Sequence, residues 1–470
     1  MLSLELIDAG LTLAQQREGA PVVVASVPGV AVLEDNETVT GARASAYLRL
    51  KPLFAQTNHW RALSTEPLVR PSALARTTAD VAYAQANELL GPYKSDGEGV
   101  LLAIPAGYTR EQLGLLLGVI NETGVPVAGV VDAALAACSL EPAPARVLHL
   151  DLELHQAILT VLESVGARSA NERGGLKRSR YEIAQGRGLL ALQQSWMQLI
   201  AENFVRSTRF DPLHDAANEQ GLQDQLPEWL AQLQHNESIN LSLRFGDRPL
   251  EVEMNRAQFV AAAERHYAEL VRLVQDARVA GLPIELSVSH RVASLPGLIE
   301  RFATLRDCTL RILPEGAAAL GALQYRDVIR RPPESLALVY QLPVPRAESA
   351  APVEAAHEST PTQLRPTHVL FQGRAWRISE RPLAIGWSPG SERSLVLPTA
   401  APGVSRAHCT VVRRNGSVVI EDRSTYGSFV NEERVVGNSV LTVGDRLRLG
   451  TPGVTLEMIQ LVQDDGAPQD

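Results

Sequence analysis

Lysine is almost missing from this chain. Of 44 basic residues only Lys51, Lys94 and Lys177 are lysine and 41 are arginine, a bias that suits a GC-rich bacterial genome. Cysteine is as scarce. Cys138, Cys308 and Cys409 are too scattered for a disulfide framework or a metal-spaced cluster, which fits a reducing compartment. Aromatic residues make up 5%. No apolar run approaches the ~18 residues that cross a bilayer, and the stretch 22–33 is broken by Pro28 and Gly29. Glu5 and Asp8 interrupt the first apolar run, unlike the basic start and unbroken core of a secretory signal. Net positive charge is missing too. At −9 the chain lacks the basic face a whole-surface nucleic-acid binder needs. The expectation is a cytoplasmic protein with no nucleic-acid partner and no membrane insertion.

What is present is 470 residues, 45% hydrophobic and 21% charged, enough for about three domains. Seven prolines fall between residues 331 and 366 among Ala, Glu, Ser and Thr. Such a stretch buries too little apolar area to offset ordering entropy, so it reads as an extended linker. It separates an N-terminal block, 1–330, from a C-terminal block, 367–462, followed by a short tail, 463–470, expected to be disordered. Within the linker, Ser359-Thr360-Pro361-Thr362 is a candidate phosphorylation segment.

Short apolar or alternating runs at 383–386, 394–397, 408–412, 417–421, 428–431 and 446–449 fill the C-terminal block, divided by turn signals such as Asn415-Gly416. That spacing predicts an all-β sandwich. The N-terminal block alternates. Strands are predicted at 22–25, 100–104, 147–151, 157–162 and 284–288, and helices at 110–122, 133–137, 182–207 and 256–279. This is an α/β pattern with helices covering a sheet.

The motifs of the C-terminal block resemble a known module. Gly403-Val404-Ser405-Arg406-Ala407-His408 precedes Asp422-Arg423-Ser424-Thr425-Tyr426-Gly427-Ser428-Phe429-Val430-Asn431, and Gly444-Asp445 follows. In order and spacing these resemble a forkhead-associated (FHA) domain over 367–462. The resemblance implies that Ser405 contacts phosphate, that Arg406 supports phosphate or peptide, and that Thr425 lies at the threonine-reading edge. His408 is expected to brace the Ser405 loop. The partner so implied is a phosphothreonine peptide. Hydroxyls, a guanidinium and free amides suit a phosphate. The block also carries 11 arginines against eight acidic residues, a net +3 that leaves −12 for the remainder.

Two positions depart from the family pattern. Trp387 follows Gly386 where an arginine is usual, and Tyr426 replaces an asparagine. A charge-assisted hydrogen bond contributes roughly 1.5–3 kcal/mol, so the lost arginine alone costs about 10- to 100-fold in affinity. Arg393 is the candidate substitute. Weakened phosphopeptide binding and an FHA fold serving unphosphorylated partners both stand at this point.

Four N-terminal segments, in order, resemble the nucleotide-binding domain of the seventy-kilodalton heat-shock chaperones. They are Ile7-Asp8-Ala9-Gly10-Leu11-Thr12, 101–108 with 131–136, His149-Leu150-Asp151-Leu152-Glu153-Leu154-His155, and 286–291 with Pro314-Glu315-Gly316-Ala317-Ala318-Ala319-Leu320-Gly321. The resemblance implies an actin-like fold of two lobes, a duplicated ribonuclease-H-like unit. It places Asp8, Gly10, Thr12, Asp151 and Gly321 at a nucleotide.

The phosphate loops are worn. Glycine serves such loops because amides must approach the oxygens with no Cβ in the way. The second loop has Glu153 and Leu154 where glycines are usual, and the adenosine loop has Ser287 and Val288. A carboxylate ~4 Å from polyphosphate costs about 4 kcal/mol at an effective dielectric near 20. Two readings remain open. One is a pseudo-ATPase that requires no cofactor; the other is a slowly hydrolysing switch that binds ATP with magnesium.

Weaker features read blandly. Gly174-Gly175 suggests a flexible turn, Lys177-Arg178-Ser179-Arg180 a solvated helix start, and His149, Asp151 and His155 one polar face of a strand. No metal site and no catalytic constellation is expected. The sequence points to phosphorylation-linked protein–protein interaction, with the N-terminal block as a regulatory scaffold.

Overall fold

Near-continuous apolar runs make the central strands of the first block. Residues 2–5, 100–104 and 146–152 are buried almost throughout, as strands covered on both faces must be. The computed structural model describes residues 1–460 apart from 18, 96, 167–174, 247, 279–282, 306, 346–364, 373, 392, 399–402, 415–416, 432, 436 and 451–452. It divides into two compact units, 1–350 and 351–470. The segment Ser359–Thr362 and the tail lie outside the described residues.

In the first unit, β1 (Leu2–Glu5), β2 (Leu11–Arg17) and β3 (Ala20–Val27) form an antiparallel meander. From β1 the sheet continues in parallel through β4 (Val100–Ile104) and β5 (Val127–Asp132). The second sheet repeats this plan. β6 (Arg146–Leu152), β7 (Gln156–Val165) and β8 (Gly175–Gln185) form the meander. β9 (Ile284–Val288) and β10 (Cys308–Ile312) extend it in parallel from β6. Across each sheet the order is third, second, first, fourth, fifth.

The crossover from β4 to β5 is α1 (Arg110–Glu122), which opens on a Thr109–Gln112 capping box. After β5 comes α2 (Ala133–Cys138), its first turn held by the Asp132 carboxylate. The predicted helix at 182–207 begins only at Leu189, as α3 (Leu189–Thr208), because Glu182–Gln185 belong to β8. The basic run 177–180 likewise lies in β8, not at a helix start. Beyond α4 (Ala216–Gln232), the predicted helix from 256 is two, α5 (Arg256–Ala262) and α6 (Glu264–Asp276). These pack Trp196, Phe204, Phe259 and Tyr267 on the second sheet.

The linker expectation fails at its start. Residues 331–345 belong to the first unit, where they form a strap across both sheets. β11 (Leu338–Val339) pairs in parallel with β5, and β12 (Gln341–Leu342) pairs antiparallel with β8. Two glycines make room here, Gly129 beneath the end of the short helix Arg326–Ile329 that leads into the strap and Gly175 beneath the strap itself. A Cβ on Gly129 would lie 2.5 Å from the Ile329 carbonyl oxygen, and one on Gly175 2.2 Å from that of Leu342.

The second unit is two packed sheets. One runs 374–377, 368–371, 454–459, 446–449, 428–430 and 433–434; the other runs 394–396, 383–386, 409–414, 417–422 and 438–441. Alternating residues such as Val369, Ile385, Val411, Ile420, Leu447 and Leu456 fill the space between. The Asn415-Gly416 turn lies outside the described residues, though the strands it joins pair antiparallel.

Candidate functional site

At one end of the β-rich unit a buried histidine ties two loops together. The Ser405 N–H donates to Nδ1 of His408 at 3.0 Å, so the ring proton sits on Nε2, 3.1 Å from the Gly427 carbonyl oxygen it donates to. Burial holds the His408 pKa below its ordinary value, keeping the ring neutral. The second loop is braced by Asp422, whose Oδ1 accepts from the Ser424 N–H (3.2 Å) and the Ser428 hydroxyl (2.8 Å). The Ser424 hydroxyl in turn accepts from the Gly427 N–H at 2.7 Å.

These braces bring the expected residues to one surface. Ser405 Oγ accepts from the Thr425 N–H at 3.2 Å, and Arg406, Thr425 and Tyr426 are exposed beside it. Gly386 is pressed against this loop. A Cβ there would lie 2.1 Å from the Arg406 carbonyl oxygen. The next residue, Trp387, donates its N–H to the Ser405 carbonyl at 3.4 Å.

Residues 383–450 match the FHA-domain family. The second unit carries an FHA domain. FHA domains bind phosphothreonine-containing proteins. The match covers none of the first unit, and no curated protein matches the chain.

Arg393 does not replace the missing arginine of this FHA domain. Its guanidinium donates to the Arg377 carbonyl, the Ser379 hydroxyl and the Arg381 carbonyl. Its neighbour Ser394 pairs with Ala384, near the start of strand 383–386, whereas the Ser405–Arg406 loop lies against Gly386 at the other end.

In the first unit the β1–β2 and β6–β7 hairpins meet around an arginine that sequence reasoning passed over. Arg291, 6% exposed, stands on the short helix after β9, whose first turn Ser289 caps. Its Nη1 lies 3.3 and 3.2 Å from the two Asp151 carboxylate oxygens. Nη2 donates to Glu5 Oε1 at 2.5 Å and to the Gly10 carbonyl at 2.9 Å. Burial works to raise the Asp151 pKa, yet the Arg291 charge takes it below the ordinary value.

Beside this network Asp8 Oδ1 accepts from the Leu154 N–H at 2.7 Å, joining the hairpins. Burial pushes Asp8 up to about 6. Burial, with the neighbouring Asp8 charge, pushes Glu153 up to about 8, although Arg61 stands 3.8 Å away. Thr12 is buried, its hydroxyl donating to the Gly10 carbonyl at 3.3 Å. The space remaining between Glu5, His149, Asp151, Ser289, Arg291 and Ala318 is about 10 Å³, room for one water.

Asp8, Gly10, Thr12 and Asp151 therefore come together; Gly321 does not join them. It lies in α7 (Ala317–Gln324), packed so tightly on α2 that a Cβ would sit 1.9 Å from the Ala136 carbonyl oxygen. His149 and Asp151 share a face as predicted, but His155 lies beyond the strand, its Nε2 2.9 Å from the Thr57 hydroxyl. Among the described residues no group of three or more His, Cys, Asp or Glu is placed to hold a metal ion. No helix of the described residues is long and apolar enough to cross a membrane.

A second arginine bridges the halves further out. The Arg49 N–H and Nε donate to Gln220 and Gln223 of α4 at 2.8 and 2.5 Å, and Nη1 pairs with Glu219 at 3.0 Å.

Proposed function

We propose that this is a phosphothreonine-reading interaction protein of the cytoplasm. Its FHA domain takes phosphorylated partners through Ser405, Arg406, Thr425 and Tyr426, and its first unit is an actin-like scaffold that does not cycle nucleotide. The repeated strand order of the two sheets supports the actin-like reading, together with the four chaperone-like segments. The observation that carries the nucleotide-free reading is Arg291. Its guanidinium sits among Glu5, Gly10 and Asp151, in the gap between the hairpins where a metal and phosphates would have to stand. Three free, scattered cysteines support a reducing compartment.

Two titrations of the full chain test this. Phosphothreonine peptides from a degenerate library should bind and their dephosphorylated forms should not. Ser405→Ala and Arg406→Ala should each lose about tenfold or more; wild-type binding by both variants sinks the phosphopeptide reading. ATP with magnesium should give no binding heat. Micromolar binding that disappears in Asp8→Ala or Asp151→Ala would establish the alternative, a nucleotide-dependent switch.

A further inference from the structure

Resting on the phosphopeptide reading above, we propose that the phosphothreonine is flanked in its peptide by bulky apolar side chains, gripped by Trp387 on one side and Tyr426 on the other. The backbones that carry both rings are held close to Ser405. Residues 386–388 run beside 405–406: the Trp387 N–H meets the Ser405 carbonyl, the Ser388 N–H meets the Arg406 carbonyl at 3.0 Å, and Gly386 is pinned to that same carbonyl. Tyr426 follows Thr425, whose N–H holds Ser405 Oγ. It precedes Gly427, at φ 83°, whose carbonyl is tied to His408.

Despite this anchoring the side chains stay in water. Trp387 is 36% and Tyr426 57% exposed, whereas Trp60, Trp196 and Trp229 are buried. Rigid aromatic rings beside a recognition surface are the usual centres of binding energy, because they bury much area and lose few rotamers. With Arg393 committed elsewhere, Arg406 is the guanidinium beside Ser405. Contacts to the flanking residues then supply what the phosphate contact lacks.

The test uses the full chain and phosphothreonine peptides of one length, with Leu, Ala, Lys or Asp on both sides of the phosphoresidue, followed by fluorescence anisotropy. Leu-flanked peptides should bind about tenfold tighter than Ala-flanked ones. Trp387→Ala and Tyr426→Ala should each erase that preference, and Trp387→Phe should keep it. Equal binding of Leu and Ala peptides, or a preference for Lys (a cation over the rings), overturns the proposal while leaving the phosphopeptide reading intact. Equal binding of a Leu-flanked peptide with and without its phosphate instead overturns that reading, and the proposal with it.

Discussion

The Arg291 guanidinium faces the Asp151 carboxylate across two contacts of 3.3 and 3.2 Å, and both groups are out of water. Glu5 shares the same guanidinium from the other sheet. Arg291→Ala therefore strands two carboxylates without a counter-charge. Breaking a buried pair from one side costs about 3–5 kcal/mol, so the melting temperature of the first unit should fall by roughly 10 °C. Neutralising all three partners together (Glu5→Gln, Asp151→Asn, Arg291→Met) should recover most of that loss, because the desolvation penalty disappears with the charges. An unchanged melting temperature in Arg291→Ala would contradict the account.

Glu153 sets a pH dependence of the opposite kind to a salt-bridged carboxylate. Unfolded, it releases its proton near 4.5; folded, it holds the proton up to about 8. Between those values the folded chain binds more protons than the unfolded one, so stability falls as pH rises through that window. Glu153→Gln should flatten the dependence, so that the variant loses less stability than the wild type between pH 5 and pH 8. Thermal melts at pH 5 and pH 8 compare the two proteins directly.

His408 touches no ligand in this scheme, yet its removal should weaken the FHA domain. His408→Ala leaves the Ser405 N–H and the Gly427 carbonyl without their buried partner, and lets the two loops drift apart. The expected loss is about tenfold in phosphopeptide affinity, with the fold retained by circular dichroism. Wild-type affinity in this variant would remove His408 from the positioning role.

The strap predicts where the first unit can be cut. A fragment ending at residue 330 lacks β11 and β12 and bares the outer edges of β5 and of the start of β8, whereas one ending at 345 keeps both covered. The longer fragment should express as a soluble monomer and the shorter one should aggregate, as bare strand edges do. Size-exclusion profiles of the pair decide it.

Much of the fold was legible because its signals are local. The runs at 100–104, 284–288, 383–386 and 446–449 and the helix at 110–122 have the predicted ends, being apolar stretches or capped segments read from neighbours in sequence. What stayed hidden depends on distant partners. Strand pairing in a proline-rich stretch, as at 338–342, depends on what it lies against and leaves no pattern of its own. Nor does a lone arginine after β9 announce two carboxylates 140 and 286 positions away. Arg393 misled for the same reason, since closeness in sequence to Trp387 said nothing about which end of a strand its guanidinium would serve. That Ser405 and Thr425 lie side by side was legible because the loops that carry them are short, ordered motifs.

The strap also has a mechanical side. Its pairings lie in series, Leu342 on Leu176 and then Leu338 on Val130. Tension applied at Pro345 loads the second sheet first and reaches the first only after that grip yields. A force ramp on the full chain is expected to show these as two successive ruptures, with the sheet nearer the FHA domain in sequence acting as the fuse for the one behind it.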